Sequence, residues 1–270
     1  MKRVVALVAG LVVLAGCGAA GMEPVAEAQY TTTQPAFTTI RSVPENKADH
    51  YNERFPCVAS LPEDDIYLYW IQGQNYNGKM VLFQEERETI FDDWGYWKYD
   101  YPKLSYNDFD GDGNKEIAAI TIVGSGTGLC ITDLHILNIH RNYVPYHESI
   151  EYEEFTLSNE DVTDFFEKNL KYKHGKKANT LELKIDGNIF MADLDPSQTW
   201  LGKIESGSHV YFSFKDDGIK LRTIMSAHYE EGPPWGDSFG HFIADVIFDG
   251  KQISLTNIQL VPPVWPIPEE

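Results

Sequence analysis

Oxygen-bearing side chains occupy alternate positions in one short stretch of this chain. A hard cation such as Ca²⁺ binds six to eight oxygen ligands at about 2.3–2.6 Å, and a tightly turned loop directs alternate side chains inward. Without a cation, carboxylates packed this closely repel and raise one another's pKa values. The spacing therefore predicts a Ca²⁺ site, in which Asn114 adds its backbone carbonyl. The predicted ligands are Asp108, Asp110, Asp112, Asn114 and Glu116.

The acidic loop, residues 108–116, is built to wrap a small ion and leads directly into a strand. Gly111 and Gly113 permit the positive φ angles that a tight wrap requires, and the apolar run 117–123 follows at once. An EF-hand needs a bidentate Glu at position 12 and a helix after it. Position 12 here is Ala119, and the continuation has the composition of a strand. The loop is therefore not an EF-hand.

The pattern D-x-D-x-D-G-x-x-E before an apolar strand resembles the calcium loop of FG-GAP/VCBS repeats, the integrin-α-like blades of β-propellers. The resemblance covers about 20 residues, and the chain has one clear copy. A propeller needs at least four blades, so a complete propeller is not implied. The resemblance implies a structural Ca²⁺ site that holds one loop of a β domain.

The elements around this loop are predicted to be mostly hairpins. Asp-Gly or Asn-Gly between two alternating apolar runs is the strongest short-range hairpin signal. The fold class is therefore mainly β, with antiparallel sheets or hairpins in a sandwich, a barrel or a partial propeller-like arrangement. The predicted strand pairs are 65–71 with 79–84, 181–185 with 189–193, 210–214 with 219–225, and 241–248 with 252–260.

One amphipathic helix is predicted after Ser158. Ser158 is a good N-cap, and Asp161 stands three residues later, as in a capping box. Apolar residues follow at helical spacing up to Leu170. Lysines and a glycine in the segment 171–175 are typical of a helix C-terminus. The helix is expected to pack on a sheet.

The first residues predict export from the cytoplasm. Lys2 and Arg3 precede a short apolar run, which is typical of a secretory signal and too short for a stable membrane span. The end of this run, Leu14-Ala15-Gly16-Cys17, resembles the bacterial lipobox, in which the cysteine is lipidated and becomes the mature N-terminus. An uncleaved anchor or a plain signal peptide is the alternative.

The resulting domain plan has four parts. Residues 1–16 form the lipoprotein signal peptide, and residues 17–49 form a flexible tether because they lack apolar periodicity. Residues 50–150 form a β region with the Ca²⁺ loop. Residues 151–270 form the helix and the antiparallel hairpins, packed with the preceding region. The localisation is extracytoplasmic, with the membrane as a partner through lipidated Cys17.

Charge and cysteine content limit the function classes. The chain has 41 acidic residues against 22 lysines and arginines, a net charge of −19. Phosphate contacts need clusters of lysine and arginine, so nucleic acid is excluded as a partner. An acidic surface suits divalent cations or basic partners. Cys57 and Cys130 form either a disulfide or two buried thiols, and their spacing does not decide between these.

Two further groups are candidates for ligand binding. Trp94 and Trp97 belong to an aromatic cluster that either packs in the core or forms a stacking platform for a glycan or peptide. His228, Trp235 and His241 lie in the segment 228–241, which is predicted to be a long loop. No known zinc spacing or hydrolase motif occurs there.

The sequence therefore predicts a cell-envelope lipoprotein with a Ca²⁺-stabilised β domain. Its role is non-catalytic, in binding or scaffolding, with an envelope protein or a glycan as the ligand. The alternative is an envelope hydrolase or glycan-processing enzyme that uses the segment 228–241. Fold-level analogy to integrin-like domains suggests adhesion, but analogy of fold does not establish function.

Overall fold

A computed structural model describes the greater part of the chain. The described residues are 32–36, 39–40, 56–71, 78–85, 87–95, 101–126, 129–144, 147–215, 218–233 and 236–262. Seventeen strands and one α-helix lie in these ranges, so the prediction of a mainly β fold with one helix is confirmed.

The strands are numbered in chain order. The first ten are β1 (Thr32–Ala36), β2 (Thr39–Ile40), β3 (Cys57–Leu61), β4 (Ile66–Ile71), β5 (Lys79–Gln84), β6 (Arg87–Phe91), β7 (Lys103–Asn107), β8 (Glu116–Gly126), β9 (Leu129–Val144) and β10 (His147–Leu157). The helix α1 spans Asn159–Asn169. The remaining strands are β11 (Lys171–His174), β12 (Thr180–Ile185), β13 (Asn188–Asp193), β14 (Trp200–Lys215), β15 (Gly218–Tyr229), β16 (Asp237–Phe248) and β17 (Ile253–Val261).

The main sheet has nine strands and connects the two halves of the chain. Its order is β1-β10-β9-β14-β15-β16-β17, and β8 pairs with both β9 and β7. Neighbouring strands are antiparallel except β9 and β14, which are parallel and align Cys130 with His209. A five-stranded sheet has the order β2-β6-β5-β4-β3, and a three-stranded sheet has the order β11-β12-β13.

Two hydrophobic cores lie against the main sheet. Ala118 and Ile120 of β8 contribute to the larger core, which also contains the buried face of α1 and the three-stranded sheet. Ile117 and Ala119 contribute to the second core, together with residues of the five-stranded sheet. Side chains alternate between the two faces of a strand, and both faces of β8 are buried. This is why the run after the acidic loop is apolar without alternation.

The helix begins where it was predicted and ends earlier. Ser158 caps it, and the reciprocal hydrogen bonds of a capping box with Asp161 are both present. The predicted C-terminus at 171–175 is wrong, because Leu170 turns extended and β11 begins at Lys171. β11 pairs with β12, so Lys171 and Lys173 lie on a strand and not in the last turn of the helix.

The predicted hairpins are present, and β14, β15 and β16 are longer than the sequence indicated. All four predicted strand pairs are antiparallel neighbours, namely β4–β5, β12–β13, β14–β15 and β16–β17. No α-helix in the described part of the chain has the length and hydropathy required to cross a membrane.

Candidate metal centre and other predicted site residues

The acidic loop joins β7 to β8 in the main sheet. Gly111 and Gly113 have φ angles of 77° and 93°, so both glycines use the backbone freedom that the sequence predicted. The Phe109 side chain packs against the larger core, and its backbone N–H donates to Glu116 Oε2 at 2.8 Å. The partly buried Phe109 side chain and Glu116, the first residue of β8, therefore fix both ends of the loop.

Three carboxylates of the loop converge. One oxygen from each of Asp108, Asp110 and Glu116 lies within 4.8 Å of the other two. Two ligands on opposite sides of an ion at about 2.4 Å are about 4.8 Å apart, so these oxygens can share one cation. We call these three residues the acidic cluster. It contains three of the five ligands that the sequence predicted.

Glu116 gives the acidic cluster an uncompensated buried charge. Its exposed fraction is 1 %, and its one hydrogen bond among the described residues comes from Phe109 N–H. Burial raises the pKa of Glu116, and the neighbouring Asp110 and Asp108 raise it further. The adjacent Lys115 lies over the Tyr106 ring at 5.0 Å. A buried carboxylate beside two others needs a positive partner or a proton.

Asp112 and Asn114 lie outside the acidic cluster in this structure. The Asp112 carboxylate accepts the Asn114 backbone N–H at 2.7 Å and the Asn114 side-chain Nδ2 at 3.1 Å. These hydrogen bonds lower the pKa of Asp112. Alternation along the loop therefore does not bring all four carboxylates together, because Asp112 stabilises the turn that follows it.

The acidic loop also meets the turn between β16 and β17. A Cβ atom placed on Gly250, where φ is 80°, would lie 2.6 Å from Asp110 Oδ2. The turn therefore approaches Asp110 so closely that only glycine fits without displacement. The loop contacts a part of the chain more than a hundred residues later, a contact that the sequence did not indicate.

Trp94 is part of the core, so the reading of it as an exposed stacking residue is wrong. Its exposed fraction is 0 %, and its ring stacks on Phe91 at 4.0 Å and on His135 at 4.6 Å. Its Nε1–H donates to Glu154 Oε1 at 2.7 Å. The large apolar area of an indole favours burial when its N–H finds an acceptor.

His135 extends this contact into a buried network that the sequence analysis missed. His135 Nδ1 lies 2.8 Å from Glu154 Oε1, and its Nε2 lies 3.1 Å from Thr121 Oγ1. We call Trp94, His135, Glu154 and Thr121 the buried network. Its chain of threonine, histidine and carboxylate has the order of a hydrolytic triad, but all four residues are buried and a substrate cannot reach them. A polar His135 between Leu134 and Ile136 is the sequence signal for it.

Half of the segment 228–241 is strand, so the prediction of a loop over the whole segment is wrong, and the connection between β15 and β16 is limited to residues 230–236. β15 runs to Tyr229 and β16 starts at Asp237. His228 Nε2 lies 2.7 Å from Glu205 Oε2, whereas His241 pairs with Ile224 across the sheet. His228 lies on β15 four residues after Ile224, which is the cross-strand partner of His241. Four residues of extended strand span about 13 Å, so the two histidines are about that far apart along the sheet. They therefore do not form a common ligand site.

His241 is buried without a polar partner. Its exposed fraction is 1 %, and neither ring nitrogen has a hydrogen-bond partner among the described residues. Burial lowers the pKa of His241, and the nearby Arg222 and His209 lower it further. The imidazole is therefore held neutral inside the sheet.

The remaining predicted site residues have simpler outcomes. Cys57 and Cys130 do not form a disulfide, and they are not the two buried thiols of the alternative either, because Cys57 is exposed and Cys130 is half-buried. Cys17, Trp97 and Trp235 lie outside the described residues.

Comparisons with protein-family models, with curated proteins and with solved structures found no match for this chain. No family assignment follows from them. The function is therefore inferred from the chemistry of the acidic loop and of the other described residues.

Proposed function

We propose that this chain is a cell-envelope lipoprotein whose β domain is stabilised by one Ca²⁺ ion at the acidic loop. Its role is non-catalytic, in binding or scaffolding. The observation that carries the metal proposal is the acidic cluster, in which a buried carboxylate converges with two others. A divalent cation compensates this charge, which the protein otherwise relieves only by protonation of Glu116.

The donors fit a hard cation. All three converging ligand atoms are carboxylate oxygens, and hard ions such as Ca²⁺, Mg²⁺ and Mn²⁺ prefer oxygen. Mg²⁺ needs near-ideal octahedral geometry at about 2.1 Å and releases its waters reluctantly, whereas Ca²⁺ accepts irregular loops. The irregular, glycine-containing loop therefore favours Ca²⁺, with water completing the coordination.

An ion here stabilises more than its own loop. Asp110 touches the β16–β17 turn at Gly250, and Glu116 is the first residue of β8. Charge compensation at the acidic cluster therefore stabilises contacts between two distant segments of the main sheet. A structural ion in such a position raises the free energy of unfolding by RT ln(1 + [Ca²⁺]/Kd), about 2.7 kcal/mol at a hundredfold excess over Kd.

Thermal unfolding of residues 18–270, which keep β1 and β2, tests the proposal. We expect saturating Ca²⁺ to raise Tm by about 5 °C or more over the value in chelator, and equimolar Mg²⁺ to raise it much less. Asp110→Asn with Glu116→Gln should abolish the increase. Asp112→Asn is the matched control within the loop, and it should retain a clear Ca²⁺ response because Asp112 lies outside the acidic cluster. Equal Tm values in both buffers for the unmodified protein would contradict the proposal.

The envelope location rests on the sequence of the first 17 residues. Lipidation of Cys17 would attach the body to a membrane, with a contribution of about 0.8 kcal/mol per buried CH₂ group. Metabolic labelling of the full chain with an alkyne fatty acid in a bacterial host tests this. We expect label on the unmodified chain and none on Cys17→Ala, with Cys57→Ala as the control that keeps its label.

A further inference from the structure

A cleft of about 590 Å³ opens where the three-stranded sheet meets one end of the main sheet. This volume falls in the range of about 300–1,000 Å³ that binding clefts occupy. The cleft shares no residue with the acidic loop or the buried network. Residues that define its chemistry are Met191, Asp193, Asp195, Asp237, Phe239 and Leu260. We call it the aspartate cleft.

The rim of the aspartate cleft is acidic. Asp193, Asp195 and Asp237 line it, and the described lining residues include no lysine, arginine or histidine. The Gln198 side-chain amide donates to Asp195 at 2.9 Å and to Asp237 at 3.4 Å, and so holds these two carboxylates on one side. Hydrogen bonds from Ser197 and Gln198 keep the pKa of Asp195 low, so this carboxylate stays ionised. The rim therefore attracts a cation.

The floor of the aspartate cleft is apolar. Phe239 and Ala192 belong to the larger core, and Leu260 packs against it half-buried. Met191 lies at the mouth with an exposed fraction of 54 %, next to the equally exposed Ile189 on the same face of β13. Burial of exposed apolar area stabilises a complex by about 25 cal/mol per Å². A ligand that contacts this floor needs apolar groups as well as positive charge.

Two open sheet edges border the aspartate cleft. Among the described strands, β13 pairs only with β12, and β17 pairs only with β16. Residues 191–193 and 260–262 line the cleft consecutively, so the backbone of each edge faces it. An unpaired strand edge presents N–H and C=O groups that can pair with an extended chain. The edges therefore favour a peptide over a compact ligand.

From these three features we propose that the aspartate cleft binds an extended basic peptide segment of a partner protein. In an extended chain, alternate side chains point to opposite faces. Apolar side chains can therefore contact Phe239 and Met191 while the alternating lysine or arginine side chains reach the aspartates. The backbone adds to the edge of β13 or β17. This site is separate from the metal site and binds its peptide with or without Ca²⁺ at the acidic loop.

Fluorescence polarisation with a labelled peptide of alternating valine and lysine tests the proposal on residues 18–270, which keep all the described strands. We expect saturable binding that weakens with added salt, because exposed charge pairs are screened. The matched peptide of valine and glutamate should not bind. A version with N-methyl groups on alternate residues should bind at least tenfold more weakly, because methylation removes the backbone donors that an edge strand accepts.

Two sets of variants locate the peptide. Asp193→Asn with Asp237→Asn should weaken binding at least tenfold, and Met191→Lys should do so without removing any carboxylate. Glu63→Gln with Glu167→Gln removes the same amount of charge at exposed positions elsewhere, and it should leave affinity within twofold. Glu116→Gln should also leave affinity unchanged, which separates this site from the proposed metal site.

Three results would overturn the proposal. The first is no binding of the basic peptide at low salt, and the second is equal loss of affinity in the aspartate variants and their charge-matched control. The third is tighter binding of spermidine than of the peptide, with no effect of N-methylation. This last result would identify the cleft as a site for small organic cations, because only a peptide uses the strand edges.

Discussion

Glu154 and Glu116 are both buried carboxylates of the main sheet, and their surroundings differ. Glu154 accepts hydrogen bonds from the Trp94 indole and the His135 imidazole, so the buried network supplies its own donors. Glu116 accepts one backbone N–H and faces two more carboxylates. The same side chain thus has its hydrogen-bond donors within the fold in one place, and in the other it belongs to the site where we propose that a cation binds. A buried acid indicates a ligand when the fold does not provide its partners.

Removal of Glu154 is the strongest way to test this comparison. Glu154→Ala leaves the Trp94 N–H and the His135 ring without their buried acceptor, and loss of one partner from such a group costs about 3 kcal/mol. We expect this decrease in the free energy of unfolding in urea, and we expect it to be equal with Ca²⁺ and with chelator. A self-contained network does not depend on an ion at the acidic loop.

The neighbouring Glu153 provides the control. It lies on the surface with its carboxylate 3.2 Å from His140 Nε2, and both side chains are about half exposed. Glu153→Ala should change the free energy of unfolding by less than about 0.5 kcal/mol. A cost for Glu154→Ala no larger than that for Glu153→Ala would show that the network contributes little, and the contrast with the acidic cluster would then be lost.

The parts of this structure that depend on local sequence were predictable. Asp-Gly turns fixed the hairpins β12–β13 and β16–β17, because each turn type selects its own strand pairing. The alternating carboxylates indicated that Asp108, Asp110 and Glu116 converge in one loop, because side chains at alternate positions of a tight turn can point inward, whereas Asp112 does not join them. Ser158 and Asp161 located the start of α1, because a capping box depends on two residues that are only three positions apart in the sequence.

The parts that depend on long-range pairing were not predictable. Thr121, His135 and Glu154 meet because β8, β9 and β10 pair in one register, and Trp94 reaches Glu154 from sixty residues earlier in the chain. Lys171–His174 has the composition of a helix end, but tertiary pairing with β12 makes it a strand. Residues 237–241 were predicted to lie in a loop, yet they extend β16 because β15 and β17 lie on either side of it.

Replacement of Glu116 by the neutral glutamine also tests the difference between Glu116 and Glu154. Its expected effect on the free energy of unfolding is smaller than that of Glu154→Ala. Burial and the neighbouring aspartates raise the pKa of Glu116, so the folded protein binds a proton more tightly than the unfolded chain does. In chelator, the protonated Glu116 side chain therefore stabilises the folded protein fully below its unfolded pKa of about 4.5. This stabilisation is lost as the pH rises through the pKa of Glu116 in the folded protein. We expect Glu116→Gln to raise the free energy of unfolding at pH 7 by about 1 kcal/mol in chelator.

The sign of this effect should reverse with calcium. In saturating Ca²⁺ the unmodified protein gains the binding free energy that Glu116→Gln cannot gain. Urea unfolding of both proteins with and without Ca²⁺ gives the four values needed. If Glu116→Gln destabilises the protein equally in both buffers, the Glu116 carboxylate is satisfied within the fold, and the proposed difference from Glu154 is absent.

His241 offers the smallest and most specific test, because it is buried with neither an internal partner nor a neighbouring acid cluster. Its lowered pKa means that the unfolded chain binds a proton more readily, so the free energy of unfolding falls as pH drops below about 6.5. Between pH 7 and pH 5.5 we expect the unmodified protein to lose about 0.5–1 kcal/mol more than His241→Gln does. His140→Gln, at an exposed site, should match the unmodified protein. Parallel pH profiles for His241→Gln and the unmodified protein would mean that the pKa of His241 is the same in the folded and unfolded states, and that burial does not hold the imidazole neutral.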